Sequence, residues 1–487
     1  MLNGEWTVSL KSQTFSAVRW TTVAMLGRSA LQFAQMAILA RMLAPADFGL
    51  MAIVVSITAF MQVFTDLGVG TAIIHYQDVS QNQLSSLYWL NVSVGMILMV
   101  VLMATSPLVS RLLFHQPALQ PILMIMSMNF LFLAAGQQVR VQAEKTLHFS
   151  ALAKAEVAAA MCGCGTAVVW AWRAPSVYAL VAGVLVNGFA QTLLLWLLAS
   201  GGWRPALRFR VSEIRRFLKF GGYIVADNLA NSLYRQADIL IGGKMFPAST
   251  LGSYSLPRNL SLNVATATNP IITRVGLPVM AKTQHDMSFL KSVYLKTMRM
   301  TASVNFPVFI ALAVFSRDVV ALVFGERWIR SAPLLVYLAV FGMFRSCGNP
   351  VGSLMLAVGK ADLSFRWTLA VLAITFPALW LASQFGIAGL AAGQVALMAV
   401  LLIPGWYFLV RPHCGARLGE YLLTLLGPLF AALVAVFAGY LAVSHLTVPL
   451  WRLGGAALVG MPVYLAMSWV ANRSWVIAMQ QLIIKQW

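Results

Sequence analysis

Long apolar runs recur along the whole chain, and they constrain its fold more than any other feature. A helix needs about 20 mainly apolar residues to cross the hydrocarbon core of a bilayer. About fourteen stretches have that length, and they are centred in 18–40, 46–66, 86–106, 121–140, 150–172, 176–199, 218–242, 251–273, 298–316, 332–357, 364–384, 386–410, 421–442 and 451–471. Because a backbone in lipid must satisfy its own polar groups, such stretches form helices. The sequence therefore predicts an all-α polytopic membrane protein with about fourteen transmembrane helices.

Composition excludes a water-soluble protein and several classes of function. Hydrophobic residues occupy 60% of the 487 positions and charged residues only 10%, whereas soluble domains average about 25% charged residues. The net charge of +20 would suggest nucleic acid in a soluble protein, but the chain has no basic and aromatic nucleic-acid motif, so we expect no such partner. The four cysteines form no disulfide framework, and no cluster of His, Cys and carboxylates has metal-ligand spacing. We therefore predict no metal site, no cofactor and no catalytic residues.

The distribution of Lys and Arg predicts the orientation of the chain. An even number of spans places both termini on one side of the membrane, and cytoplasmic segments carry the excess of positive charge. With the N-terminus inside, 20 of the 34 Lys and Arg residues fall in cytoplasmic segments and 8 in segments on the other side. The sequence thus predicts two cytoplasmic termini. The N-terminal stretch lacks the pattern of a signal peptide, so we expect the first span to remain as an uncleaved anchor.

The most basic loop, residues 201–222, divides the chain near its middle. It contains Pro and Gly and lies between the sixth and seventh predicted spans. Two interpretations fit it equally well: a cytoplasmic linker that is partly an amphipathic surface helix, or a segment that only anchors the topology. The predicted organisation is an N-lobe of six spans, a basic linker, a C-lobe of six spans, and two further spans with a cytoplasmic tail. Their predicted bounds are 1–200, 201–216, 217–410 and 411–487.

The two predicted lobes are related by an internal repeat. A shift of 203 residues aligns ARMLAPADFGL at 40–50 with GKMFPASTLGS at 243–253, and Gly49 then meets Gly252. Internal repeats of this kind are typical of transporters that work by alternating access. The same shift aligns polar positions of the first span with polar positions of the seventh. It pairs Arg28 with Asn231, Gln32 with Arg235, and Gln35 with Asp238.

Polar residues inside these apolar spans predict a shared cavity. Arg28, Gln32 and Gln35 are spaced by four and three residues, which places them on one face of a helix. A charge that faces acyl chains costs about 2.5–3.5 kcal/mol, so such faces must meet each other or water. The sequence therefore predicts two bundles that enclose a polar, net cationic cavity. The other predicted lining residues are Asp227, Asn231, Arg235, Asp238, Arg258, Asn263, Asn269, Arg345 and Asn349.

Simpler roles stay open for several of these side chains. The amides serve equally well as hydrogen-bonding groups between neighbouring helices, and Arg235 and Asp238 are close enough along a helix to pair with each other. The arginines favour the cavity, because a guanidinium within a span requires water or a counter-ion. Guanidinium groups bind phosphate oxygens through a bidentate fork, and amides suit sugar hydroxyls. The predicted lining therefore favours an anionic cargo that carries sugars.

Several blocks of sequence resemble the polysaccharide-transporter family within the MOP flippase superfamily. RMLAPADFGLMAIV, followed by QVFTDLGVGTAIIH, is similar to the opening of that family. The later blocks are SSLYWLNVSVGM, AAGQQVRVQAEKTLHF, NPIITRVGLPVMAK, ALVFGERWIRSAPLL and CGNPVGSLMLAVGKADLSF. Together they resemble the Wzx-type subgroup, which includes the colanic-acid exporters, and the resemblance is densest from about residue 20 to 365.

The resemblance implies a fourteen-helix flippase of the bacterial inner membrane. Proteins of this family move an undecaprenyl-diphosphate-linked oligosaccharide repeat unit from the cytoplasmic to the periplasmic leaflet, where it enters exopolysaccharide, capsule or O antigen. The resemblance also implies contact with membrane lipids and, as partners, a polysaccharide polymerase and a chain-length regulator. Related flippases place arginines in spans 1 and 8, where Arg28 and Arg258 lie in this sequence. Coupling to a proton or sodium gradient is open.

Two other functions remain as alternatives. A cation-coupled drug or metabolite antiporter of the same superfamily would carry an acidic rather than a basic cavity. A membrane-bound polysaccharide polymerase or ligase would carry a long external loop with essential Arg or His. The longest external loop predicted here, around 316–332, is short and contains no His.

Overall fold

The structure is a computed structural model that describes residues 3–76 and 78–471. Side chains are described throughout these ranges except at 3–18, 66, 74, 75, 218–221, 223, 224, 266–275 and 471. All regular elements in the described ranges are helices, so the predicted all-α polytopic fold is confirmed. The chain forms two compact units, Met1–Gly252 and Ser253–Trp487. The bounds of the four predicted segments remain predictions.

Nine complete helices of the first unit lie in the part of the chain that the structure describes. They are α1 (Asn3–Met42), α2 (Pro45–Asp66), α3 (Val69–His75), α4 (Gln81–Leu108), α5 (Leu119–Met126), α6 (Met128–Lys145), α7 (Phe149–Arg173), α8 (Val177–Leu198) and α9 (Val211–Met245). A π-helical turn, Val109–Leu113, continues α4. Pro45 occupies the first position of α2, where its missing N–H is not needed by the helix.

The next helix, α10 (Ala248–Lys282), leads from the first unit into the second. The helices that follow are α11 (Met287–Val314), α12 (Ser316–Val323), α13 (Ala332–Ala357), α14 (Ala361–Ser383), α15 (Gly386–Gly405), α16 (Arg411–Cys414), α17 (Leu418–Ala442) and α18 (Pro449–Ala471). A 3₁₀ helix, Glu326–Ser331, precedes α13, and a π-helical turn, Trp406–Val410, follows α15. Asp286 caps α11, since its carboxylate accepts hydrogen bonds from the N–H groups of Ser288 and Phe289 at 2.9 and 3.0 Å.

Each of the fourteen predicted spans corresponds to a helix of at least 18 residues within the described ranges. Twelve helices there are long and apolar enough to cross a membrane. The two that fall short in hydropathy are α9 and α10, each 35 residues long. Their polar side chains lower the mean hydropathy. The predicted number of fourteen transmembrane helices is therefore supported for twelve.

Helices of the first unit approach closely where small residues face each other. A Cβ added at Gly95 of α4 would lie 2.6 Å from Cβ of Ala134 on α6, and one at Gly163 of α7 would lie 2.6 Å from the carbonyl oxygen of Gly183 on α8. In membranes such residues let helix backbones pack tightly without a hydrophobic driving force. The helix α7 also packs against α1 and α6, which brings charged residues of these three helices together.

Larger side chains fill the core of the second unit. Tyr294 and Met298 of α11 are fully buried together with Leu354 of α13. The hydroxyl of Tyr464 on α18 donates to the carbonyl oxygen of Ser303 on α11 at 2.6 Å. Because that hydroxyl is satisfied inside the protein, α18 can pack its aromatic side chain against α11 without an unpaired polar group.

The internal repeat is visible as a reciprocal backbone contact between α2 and the first turn of α10. A Cβ at Gly49 would overlap the carbonyl oxygen of Ala248, and a Cβ at Gly252 would overlap the carbonyl oxygen of Pro45. Pro45 aligns with Ala248 under the same shift of 203 residues that aligns Gly49 with Gly252. The two contacts are therefore equivalents of one another, and each requires a residue without a side chain.

Candidate functional site

Arg28, the residue that first predicted a polar cavity, makes an ion pair within the first unit. Its Nη1 atom lies 3.2 Å from Oε2 of Glu156 on α7. The Arg28 side chain is 44% exposed and that of Glu156 is 14% exposed. Packing of α1 against α7 therefore gives this guanidinium its counter-ion while leaving much of it open to its surroundings.

The same carboxylate holds a second guanidinium. Arg140 of α6 places Nη2 3.1 Å from Oε1 of Glu156, and its Nε lies 3.0 Å from Oε1 of Glu144 one helical turn away. Glu156 thus bridges two arginines, with one oxygen for each. Like charges that would otherwise repel are held close together by one carboxylate of opposite sign. We call Arg28, Arg140, Glu144 and Glu156 the bridged arginine cluster.

The bridged arginine cluster lies inside the helices, not at their tips. Glu156 is seven residues from the start of α7, and Arg140 is five residues from the end of α6. At 1.5 Å per residue these distances correspond to about 10 Å and 8 Å along the helix axes. Nearer the start of α1, Lys154 Nζ lies 5.8 Å and Arg19 Cζ 6.0 Å from the ring centroid of Trp20. Two further cationic groups thus lie beside Trp20, and the formal charges of the cluster itself balance.

The two glutamines of the α1 face differ in their surroundings. Gln32 is exposed, one turn from Arg28. Gln35 is half-buried, and its Nε2 would lie 3.6 Å from a Cβ placed at Gly183 on α8. Arg28 and Gln32 thus share an exposed face, whereas Gln35 approaches the neighbouring helix, as a helix-pairing amide does.

The corresponding face of α9 is arranged differently. Nδ2 of Asn231 donates to the carbonyl oxygen of Asp227 on its own helix at 2.9 Å. Asp227 is half-buried and Arg235 exposed, whereas Asp238 is only 2% exposed. The α9 face therefore contains carboxylates of its own, while the α1 face takes its carboxylate from another helix.

The predicted lining residues of the second unit occupy several environments. Arg258 of α10 is 7% exposed, and Asn263 is half-buried. Arg345 of α13 places Cζ 5.8 Å from the ring centroid of Phe341, a cation–π arrangement. Asn349 is exposed, and its Nδ2 lies 3.5 Å from the carbonyl oxygen of Ser346. The Asn269 side chain lies outside the described residues.

The structure thus brings Arg28 together with residues that the sequence did not select. Neither Arg140 nor Glu144 is among the predicted lining residues. Glu156 is not among them either. The available signal was its position inside the apolar run FSALAKAEVAAAM, because a carboxylate there needs a partner. Convergence of both units on one cavity remains a prediction.

Comparison with known proteins gives a consistent result. The family model described as "Polysaccharide biosynthesis protein" matches residues 38–333. The lipopolysaccharide biosynthesis protein WzxC of Escherichia coli (strain K12) is 31% identical over 434 residues, which cover 89% of this chain and 88% of that protein. The teichuronic acid biosynthesis protein TuaB of Bacillus subtilis (strain 168) is 31% identical over 400 residues, covering 82% and 83%.

Among solved structures, the fold is similar to that of the lipid II flippase MurJ in an inward closed conformation. The TM-score is 0.78 at 12% sequence identity, and the match covers 94% of this chain and 100% of that one. At this identity the likeness concerns the fold. It agrees with the predicted all-α polytopic fold.

Proposed function

Because this chain belongs to the polysaccharide biosynthesis protein family, we propose that it flips a lipid-linked oligosaccharide across the membrane for the assembly of a surface polysaccharide. The resemblance read from the sequence is confirmed by that membership. The chain is a multi-pass membrane transporter and not an enzyme. The proposed direction is from the cytoplasmic to the periplasmic leaflet of the bacterial inner membrane, with both termini in the cytoplasm.

The observation that carries the proposal at residue level is the bridged arginine cluster. A guanidinium has five N–H donors in a fixed fork that matches phosphate oxygens. Arg28 donates through one nitrogen to Glu156, and Arg140 uses two of its nitrogens on Glu156 and Glu144. Both groups keep further donors, and both side chains are more than one third exposed. Their spacing on one carboxylate suits a diphosphate, in which two phosphates lie side by side.

A cycle consistent with this arrangement uses the cluster as the first contact of the headgroup. The diphosphate of an undecaprenyl carrier exchanges solvent for the guanidinium N–H groups, while the polyprenyl tail stays in lipid. The exposed amide of Gln32 is then one turn away to bind sugar hydroxyls. In this proposal the remaining predicted lining residues serve the later stages of transport. Arg258 of the second unit is the candidate for a second phosphate contact.

Further elements of the pathway belong to the same proposal. A polysaccharide polymerase would receive the flipped unit, and a chain-length regulator would control its products. Movement against a gradient would draw on protons or sodium ions, for which Asp227 and Asp238 of α9 are candidate carboxylates. A drug-cation antiporter would require a binding site of net negative charge, whereas the formal charges of the bridged arginine cluster balance.

The proposal is tested by reconstituting the full chain in liposomes with a fluorescent diphosphate-linked glycolipid. Transport to the protected leaflet is followed by quenching from outside. We expect Arg28→Gln and Arg140→Gln each to reduce the initial rate at least tenfold. Arg173→Gln, which removes an exposed charge at the far end of α7, serves as the matched control. Wild-type rates in both cluster variants would contradict the diphosphate role, and absence of flipping by the wild type would contradict the proposed function.

A further inference from the structure

The backbone of the linker segment, residues 201–210 between α8 and α9, is hydrogen-bonded to the start of α4. Nε1 of Trp89 donates to the carbonyl oxygen of Ala206 at 2.8 Å, and the N–H of Ala206 donates to Oγ of Ser85 at 3.1 Å. At the end of the segment, the N–H of Arg210 donates to the hydroxyl of the next serine of α4 at 3.3 Å. The segment contains no helix, so these bonds to another helix define its path.

Arginines of the linker segment and of the first turns of α9 fall into two groups. Arg208 places Nη2 2.7 Å from Oε1 of Glu213, and Arg216 places Nη1 3.3 Å from Oδ2 of Asp78. Both of these arginines are partly buried. The others are exposed, and their side chains form no ion pair or hydrogen bond with the residues that the structure describes. They are Arg204, Arg210 and Arg215. The nearby carboxylates are therefore engaged, and three cationic groups remain.

Exposed apolar side chains lie between these unpaired arginines in the sequence. Leu207 is 93% exposed, Phe209 50% and Val211 57%. Leu207 stands at the tip of a tight turn, in which the N–H of Arg208 donates to the carbonyl oxygen of Ala206 at 2.7 Å. The turn holds the leucine outward, away from the unit to which its neighbours are bonded. Three exposed apolar groups on a fastened backbone form a surface that is unfavourable in water.

The position of this surface in the fold matches a membrane boundary. The linker segment follows α8, a candidate span that ends at Leu198, after only two residues. Apolar side chains in the boundary between headgroups and acyl chains remove their surface from water, and Lys or Arg beside them attract anionic lipid by about 1 kcal/mol each. The pattern of three apolar groups among three unpaired guanidiniums fits that environment on both counts.

We propose that the linker segment and the first turns of α9, through these three apolar side chains and three unpaired arginines, bind the headgroups of anionic phospholipids in the adjoining leaflet. The apolar side chains enter the headgroup region, and the guanidiniums bind lipid phosphates. The bound lipids fix the linker segment at the bilayer surface, and with it the beginning of α9. This inference does not depend on the identity of the transported molecule.

A photocrosslinking experiment on the full chain tests the proposal. A diazirine amino acid replaces Leu207, and the protein is reconstituted in liposomes with equal amounts of phosphatidylcholine and phosphatidylglycerol. Adducts are identified by mass spectrometry after irradiation. We expect lipid adducts, with phosphatidylglycerol favoured at least fivefold, since each nearby arginine contributes about that factor. The same amino acid at Phe217, whose side chain is fully buried, should give no lipid adduct.

A charge variant tests whether these three arginines, and not positive charge elsewhere on the protein, cause the preference for anionic lipid. The triple substitution Arg204→Gln, Arg210→Gln and Arg215→Gln should reduce the lipid preference at position 207 to about one. A matched triple substitution of exposed arginines elsewhere, Arg111→Gln, Arg173→Gln and Arg317→Gln, should leave the preference unchanged. Equal labelling of both lipids by the wild type, absence of lipid adducts at 207, or loss of preference in both triple variants would each overturn the proposal.

Discussion

The repeat-related helices α1 and α9 share a framework but differ in chemistry. Each is followed by a helix whose fifth residue is the glycine of the reciprocal contact, Gly49 or Gly252. Their aligned polar positions, in contrast, remain polar in both helices but are occupied by different types of residue. Arg28 pairs with Glu156 of α7, whereas its equivalent Asn231 bonds to the backbone of its own helix.

The difference shows which constraints preserve a repeat. A backbone contact with no room for Cβ accepts a single residue type, so both copies keep glycine. A polar face only has to find a partner or water, and that partner can lie on any helix that packs nearby. The backbone contacts of the two repeats therefore stay equivalent, whereas the charged residues of each repeat can take different partners.

The largest effect is expected from adding a methyl group at the reciprocal contact. Gly49→Ala and Gly252→Ala should each destabilise the protein by about 1–3 kcal/mol or more, because the obstacle is backbone and not a flexible side chain. We expect a lower midpoint of thermal unfolding in detergent and loss of glycolipid flipping for both. Similar losses in the two variants would support the equivalence of the contacts, and an effect in only one would break it.

The matched control is Gly165→Ala on α7, where a Cβ would meet nothing within 4 Å. Alanine is favoured over glycine in a helix by about 1 kcal/mol, so this variant should keep or raise the unfolding midpoint. Destabilisation of the control by as much as the contact variants would show that the assay reports loss of any glycine.

The second largest effect should come from removing the shared carboxylate. Glu156→Gln leaves Arg28 and Arg140 without the charge that bridges them, so we expect flipping to fall at least tenfold. The effect on unfolding should be modest, about 1 kcal/mol, because both guanidiniums are partly solvated. Glu144→Gln is the matched control, since it removes a carboxylate that pairs with Arg140 alone. Equal flipping rates for the two variants would argue against the bridging role.

The fold was largely predictable from the sequence because hydropathy and helix length are local properties. All fourteen apolar runs became helices, and the shift of 203 residues aligned the two glycines that make equivalent contacts. The bridged arginine cluster was not predictable in the same way. Its members lie on α1, α6 and α7, and a single sequence does not reveal which helices pack together. The sequence placed Glu156 within an apolar run but did not indicate which arginines it contacts.

The linker segment illustrates a second limit. The sequence allowed a linker that is partly an amphipathic surface helix, or a simple topology anchor, over residues 201–222. In the structure, helix α9 starts only at Val211. The backbone of the preceding residues donates a hydrogen bond to α4 and accepts one from it. The serines and tryptophan of α4 that hold the segment are more than 110 residues away in sequence. Local propensity carries no information on such a partner.

A smaller effect should come from exchanging charge between the two helices. The double variant Gln32→Arg with Arg235→Gln preserves net charge and swaps the aligned positions. We expect it to flip no better than Arg235→Gln alone, because an arginine at position 32 adds a like charge one turn from Arg28, unfavourable by about 0.2–0.5 kcal/mol. Flipping by the double variant at the wild-type rate would mean that the two faces are interchangeable. That result would remove the specialisation inferred from their different partners.

The smallest effect concerns the start of α9, which Arg216 ties to Asp78. A hydrogen bond from its own backbone N–H, followed by the bond and charge of Arg216, lowers the pKa of the Asp78 carboxyl. A lowered pKa means that the pair stabilises the fold above the ordinary aspartate pKa of about 3.9 and that this contribution is lost as pH falls through the lower folded value. Asp78→Asn should therefore lower the unfolding midpoint slightly at pH 7. The difference should shrink as the pH falls below the folded pKa of Asp78, and a constant difference from pH 7 into that range would assign the effect to the side-chain amide and not to the charge.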